Sequence, residues 1–124
     1  MKQKLFLLIA IILIGCSNNN HIEKIAEANA LISSGSYEKG IKILEDLNST
    51  SGGEKNIISA LANAHLQYGN FLMYNEEIDR KIRYMSALKE YRSALKLDNN
   101  LSEARSNAEL IESIYTSMGR EIPK

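Results

Sequence analysis

The chain has 124 residues, with 15 basic and 15 acidic side chains and a formal net charge of zero. That length allows one small domain, and the even balance of charge lacks the basic footprint of a nucleic-acid binder. A single cysteine excludes an internal disulfide, and the two histidines, His21 and His65, lie far apart with no cysteine or carboxylate spacing that suggests zinc.

The first element is a short apolar leader. Lys2 and Lys4 precede an unbroken apolar run from Leu5 to Ile14. Its length of about ten residues suits the hydrophobic region of a signal peptide and is half of the roughly twenty that a spanning helix needs. The run closes on Leu13-Ile14-Gly15-Cys16. These four residues resemble the lipobox of bacterial lipoproteins, in which aliphatic and small residues precede an invariant cysteine. The resemblance implies a signal peptide over residues 1–15, cleavage after Gly15, and a diacylglyceryl thioether on Cys16 with fatty chains of the palmitate kind. The leader removes Lys2 and Lys4, leaving 13 basic against 15 acidic residues. Ser17, Asn18, Asn19, Asn20 and His21 are polar and mostly poor helix formers, so residues 16–21 read as a lipid-anchored tether. Ser17 is not the aspartate that retains enteric lipoproteins at the inner membrane. By that resemblance the expected location is the cell envelope, at the outer membrane facing the periplasm, or the outer leaflet of the plasma membrane where there is only one membrane.

Behind the tether the sequence repeats. Ala26, Ala28, Asn29 and Ala30 recur as Ala60, Ala62, Asn63 and Ala64, and Gly35 and Tyr37 recur as Gly69 and Phe71. Every pair is 34 residues apart, the period of the tetratricopeptide repeat, a helix–turn–helix unit. The mature chain resembles that family over nearly its whole length. In the first unit (22–53), Ile25, Ala28, Leu31 and Ile32 recur at helical spacing, and Gly35 ends that helix. Tyr37 opens a second helix carrying Gly40, Ile41, Ile43, Leu44 and Leu47, and the cluster 48–53 stops it. Gly40 stands where the family places a small residue at the tightest helix crossing.

The second unit (54–100) starts with Ile57, Ile58, Leu61 and Ala64, and Gly69 is expected to stop this helix as Gly35 stops the first. The partner helix, with Tyr84, Ala87, Leu88, Tyr91, Ala94 and Leu95, comes late. Ala87 follows Gly40 by 47 residues, so about a dozen residues, 72–83, read as an insertion. Such an insertion forms a loop on one face, often the binding face, or lengthens both helices. A polar turn, Asp98-Asn99-Asn100, leads to a last helix (101–124) with Ala104, Ala108, Ile111, Tyr115 and Met118 on one stripe. Gly119 ends it and Pro123 prevents its resumption. A helix without a following partner caps a repeat stack. The expected fold is therefore all-α: a short tetratricopeptide-like solenoid of two antiparallel helix pairs, the second with an insertion, plus a capping helix.

No phosphate loop, nucleophile–base set or metal-spaced ligand group stands out, so no enzyme activity and no cofactor or metal is expected. His21 reads as solvated tether and His65 as a packing residue. Lys81, Lys89, Arg92 and Lys96 form a stripe on one side of their helix, read as a solvated face or a contact for anionic lipid or an acidic partner. The family resemblance implies a protein- or peptide-binding scaffold that uses the concave surface of the first helix of each unit. By the period that surface holds Ile22, Ile25, Asn29, Ile32 and Ser33, then Asn56, Ser59, Asn63, Leu66 and Gln67. Asn29 and Asn63 share the position where the family often places an amide that binds peptide backbone. They read equally well as partners in an inter-helix hydrogen bond. The ten positions carry no charge, which favours an extended neutral or apolar ligand. A permanent structural subunit of an envelope assembly is the alternative. The inserted segment, with Leu72, Met73, Tyr74 and Ile78 beside charges of both signs, suits a surface that pairs with a second copy or a partner, so the domain is expected to self-associate or to be only marginally stable alone.

Overall fold

The computed structural model describes residues 19–124, and the described residues are helical with no strand. Helix α1 covers 19–33. It is followed by α2 (Tyr37–Thr50), α3 (Lys55–Tyr74), α4 (Arg80–Leu97) and α5 (Ser102–Ser117). The turns between them are three to five residues long, which forces consecutive helices to run antiparallel. Consequently the ends of α1, α3 and α5 and the starts of α2 and α4 gather at one end of the bundle. Helix α2 packs on α3, α3 on α4 and α4 on α5.

Two apolar cores share α3. Ala28 and Ile32 of α1, Ile41, Leu44 and Leu47 of α2, and Ile57, Leu61 and Ala64 of α3 form one. Leu66, Leu72 and Met73 of α3, Ala87, Leu88, Tyr91 and Ala94 of α4, and Ala104, Ala108, Ile111 and Tyr115 of α5 form the other. Tyr68 packs against both. The buried pattern follows the sequence repeat only in part, since Ala30 and Gly35 are exposed where Ala64 and Gly69 are buried. Ala28 and Ala62 are both buried, as are Ile32 and Leu66. At the longer offset, Gly40, Ile41, Leu44 and Leu47 are buried and so are Ala87, Leu88, Tyr91 and Ala94.

Several expectations change. Gly69 does not stop α3, which continues for five more residues to Tyr74. A Cβ at Gly69 would lie 2.7–3.2 Å from the Tyr91 ring, so this glycine clears space for a side chain on α4. Gly35 does end its helix. Its N–H donates to the Ile32 carbonyl, and the Ser36 N–H reaches back to Leu31, satisfying carbonyls that the last turn leaves free. The residues 72–83 are mostly helix: they lengthen α3 and α4, and only 75–79 form the turn. Leu72 and Met73 are buried, so they are not an adhesive surface, and excising 72–82 would strip the second core. Part of the expected tether is helix, since Asn19, Asn20 and His21 belong to α1. His21 is half-buried, and its Nδ1 lies 3.0 Å from Glu54 Oε1 in the α2–α3 turn.

Gly40 is the other close approach. A Cβ there would sit 2.6 Å from Ile32 Cγ1 and 2.7 Å from the Ala28 carbonyl oxygen. The missing side chain lets α2 cross α1 nearly backbone to backbone. Helix α4 starts on Asp79, whose carboxylate accepts from the Lys81 and Ile82 N–H groups at 3.0 and 3.4 Å, a side-chain N-cap.

Candidate binding face and the polar joint behind it

The expected binding residues lie on α1 and α3 and separate into two sets. Asn29, Ser59, Asn63 and Gln67 are exposed, together with Ile22, Ser33 and Asn56. Ile25 is half-buried against the first core. Ile32 and Leu66 are core residues, 2% and 9% exposed, and cannot meet a ligand while the cores are intact. Both belong to the inward stripe of their helix. The 34-residue period pairs Ile32 with Leu66, but it does not say which face of the helix a position occupies. The solvent face left on α1 and α3 is thus more polar than the sequence implied: serines, asparagines and a glutamine, with Ile22 at one edge. Asn29 and Asn63 have the same exposed setting 34 residues apart.

One helical turn beyond Gln67, at Asn70, α3 meets α4 and α5 through a polar joint. The Tyr91 hydroxyl donates to Asn70 Oδ1 at 2.8 Å. Asn107 Nδ2 donates to the same oxygen at 3.1 Å and to the Tyr91 oxygen at 3.2 Å. Asn70 Nδ2 donates to Glu103 Oε1 at 2.8 Å. The joint satisfies a hydroxyl carried by a side chain that is 0% exposed, and leaving that hydroxyl unpaired would cost about 1–3 kcal/mol. Burial pushes the Tyr91 hydroxyl up to about 12, against the Asn107 hydrogen bond that pulls it down. It therefore stays a donor at neutral pH. Asn70 and Asn107 were not foreseen. Asn70 lies next to Gly69, in a stretch read as the end of a helix, and nothing in its spacing pairs it with α5.

On the opposite flank of α3 a groove of about 500 Å³ runs between α2 and α4. Its floor holds His65, whose Nδ1 lies 2.6 Å from Glu90 Oε2, with both side chains largely buried. Since a carboxylate only accepts, Nδ1 carries the proton. His65 is thus a packing residue, as expected, and also one half of an inter-helix pair. Ser86 and Ser93 line the same groove, but no hydrogen bond joins either to the imidazole among the described residues. Next to it Tyr37, Tyr68 and Phe71 cluster, with ring centroids 5.0–6.4 Å apart, Tyr68 stacked on both neighbours and Tyr37 tilted against Phe71. Tyr68 donates to Glu38 at 3.0 Å. Burial first, and then Glu38, pushes its hydroxyl up to about 12.

The basic stripe on α4 is divided. Lys81, Lys89 and Lys96 are exposed, but Arg92 is engaged. Its guanidinium meets Glu112 of α5 at 2.9 Å and donates to the Pro123 carbonyl, which fastens the C-terminal tail against α4. Among the described residues, no group of three or more His, Cys, Asp or Glu could hold a metal, and no helix is long and apolar enough to cross a membrane. Cys16, the expected lipid site, lies outside the described residues. Comparison of the chain with protein-family models, curated proteins and solved structures gives no match.

Proposed function

We propose that this is a lipid-anchored helical-repeat protein of the cell envelope, a tetratricopeptide-like scaffold that binds an extended segment of another protein across α1 and α3. The observation that carries the binding reading is the paired setting of Asn29 and Asn63. Two amides at the same position of two repeat units stand exposed on an uncharged face, suited to hydrogen-bonding an extended backbone. The 34-residue correspondence in burial, with Ala28 like Ala62 and Ile32 like Leu66, supports repeat units of one design. The anchor rests on Leu13-Ile14-Gly15-Cys16 behind its basic and apolar leader. Two acyl chains on that cysteine would hold the protein stably at a bilayer, because each buried CH₂ contributes about 0.8 kcal/mol.

A photo-crosslinking residue at Asn63 in the full chain, expressed in its host, tests both parts. The expected result is a discrete protein adduct in the membrane fraction, absent when the crosslinker replaces exposed Lys42 on α2. Mass spectrometry of the same preparation should find an acylated Cys16 as the first residue. A free Cys16 with residues 1–15 attached refutes the anchor. Equal adducts from both crosslinker positions refute the binding face.

A further inference from the structure

Exposed apolar side chains crowd the end of the bundle where α3 hands over to α4 and α5 stops. Tyr74, Ile82, Met85 and Met118 are all 45–68% exposed. Between the start of α4 and the end of α5 lies a cleft of about 620 Å³ with Tyr84, Ile114, Tyr115 and Met118 in its lining. Three cations border it: Arg80 and Lys81 from α4, and Arg120 from the tail that Arg92 holds in place. No carboxylate pairs with these three among the described residues. Asp79, also at the cleft, is occupied in capping α4. Immediately beside the cleft, the α3–α4 turn presents the opposite chemistry. Glu76 and Glu77 are exposed and unpaired among the described residues, and Ile78 follows them.

We propose that the occupant of this cleft is the α3–α4 turn of a second copy of the chain. Within one molecule the turn lies beside the cleft and its acids do not pair with these cations. In a two-fold arrangement each copy offers both halves of the contact, since an isologous interface needs complementary groups on one patch. Glu76 and Glu77 of each copy then face Arg80, Lys81 and Arg120 of the other, over an apolar centre from Met118, Ile82 and Tyr74. Leu72 and Met73 stay in their own core and take no part. Exposed charge pairs are screened by salt, so the charged rim confers register and the apolar centre adds adhesion.

Charge exchange in the full chain, purified in mild detergent, tests this. One variant carries Glu76→Lys and Glu77→Lys. The other carries Arg80→Glu, Lys81→Glu and Arg120→Glu. Light scattering should report a concentration-dependent dimer for the natural chain, monomers for each variant alone, and a dimer again when the two variants are mixed. Unfolded chains could not restore the dimer. In a mixture of isotopically light and heavy natural chains, zero-length carbodiimide coupling should join Glu76 or Glu77 of one chain to Lys81 of the other. Variants that stay dimeric alone, a mixture that stays monomeric, or Glu–Lys links confined to single chains would each overturn the proposal.

Discussion

Leu44 and Tyr91 stand 47 residues apart, at corresponding places on α2 and α4, and both are fully buried. Leu44 belongs to the apolar first core. Tyr91 fills a larger space between longer helices and brings a hydroxyl into it, which Asn70 and Asn107 must satisfy. The crossing glycines differ in the same way. Gly40 lets two backbones meet, whereas Gly69 lets a backbone meet an aromatic ring. The first crossing closes on a backbone carbonyl and the Ile32 side chain. The second carries a wider, partly polar joint, which also gives α5 something to hold.

Truncation of the two equivalent residues should separate the halves most strongly. Leu44→Ala is expected to destabilise by roughly 2–5 kcal/mol through lost burial and a cavity. Tyr91→Ala should fall at or above the top of that range, because it also leaves the amides of Asn70 and Asn107 without their shared partner. Urea unfolding followed by far-ultraviolet dichroism measures both. Equal losses would mean that the polar joint contributes nothing beyond packing.

Alanine at the two glycines gives the next largest effect. Alanine favours a helix by about 1 kcal/mol over glycine, while overpacking a core typically costs about 1–3 kcal/mol. At Gly40 the obstruction is the Ile32 side chain at 2.6 Å together with the Ala28 carbonyl oxygen at 2.7 Å, and the carbonyl moves only with its helix. Gly40→Ala should therefore be clearly destabilising. At Gly69 the obstruction is the Tyr91 ring, so Gly69→Ala should be destabilising alone and recover most of its loss when combined with Tyr91→Leu. No such partner on α2 or α1 should rescue Gly40→Ala.

Gly69 also marks where sequence reading reached its limit. The all-helical class and the end of α1 at Gly35 follow from local pattern, because helical spacing and capping are local physics, whereas the close crossing at Gly40 came from the resemblance to the repeat family. Whether a glycine terminates a helix or accommodates a ring from elsewhere depends on what packs against it, and a single chain read in order does not display that. The same holds for Ile32 and Leu66, whose period was legible but whose inward direction was not. It holds for Arg92, which looked like one more solvated cation until the tail folded back on it. Asn70 and Asn107 lie 37 residues apart, joined only by a fold.

Alkali offers a subtler contrast. Tyr91 and Tyr68, in the second core and at its border, both have hydroxyls pushed from 10.0 up to about 12, chiefly by burial. Below about pH 10 both folded and unfolded chains hold these protons, and the full stability is present. Between about pH 10 and 12 the unfolded chain releases them while the folded chain retains them, so unfolding becomes easier as pH rises. Urea midpoints should decline across that window. Tyr91→Phe, less stable at neutral pH by about 1 kcal/mol for its lost hydrogen bonds, should decline less steeply. A parallel decline would show that Tyr91 ionises as readily folded as unfolded.

The smallest effect on stability belongs to Asn29 and Asn63. Both are exposed, and substitutions at such positions generally stay within about 0.5 kcal/mol. Asn29→Ala and Asn63→Ala should therefore leave the urea midpoint nearly unchanged. Their effect on a partner's binding should be similar to each other, because the two amides occupy one repeated position and would each hold one stretch of extended backbone. Losing a hydrogen bond to a partner's backbone should cost about 0.5–1.5 kcal/mol apiece, and the double substitution should approach the sum, since well-separated sites act independently. The uncharged face predicts that this loss is nearly the same at low and physiological salt, screening being effective mainly on exposed charges. Affinity for the partner recovered by crosslinking, measured for the two single variants and the double variant at both salt concentrations, checks each point. A loss confined to one of the two asparagines would mean that only one half of the repeated surface binds, and a steep salt dependence would move the contact to the charged flanks of α2 and α4.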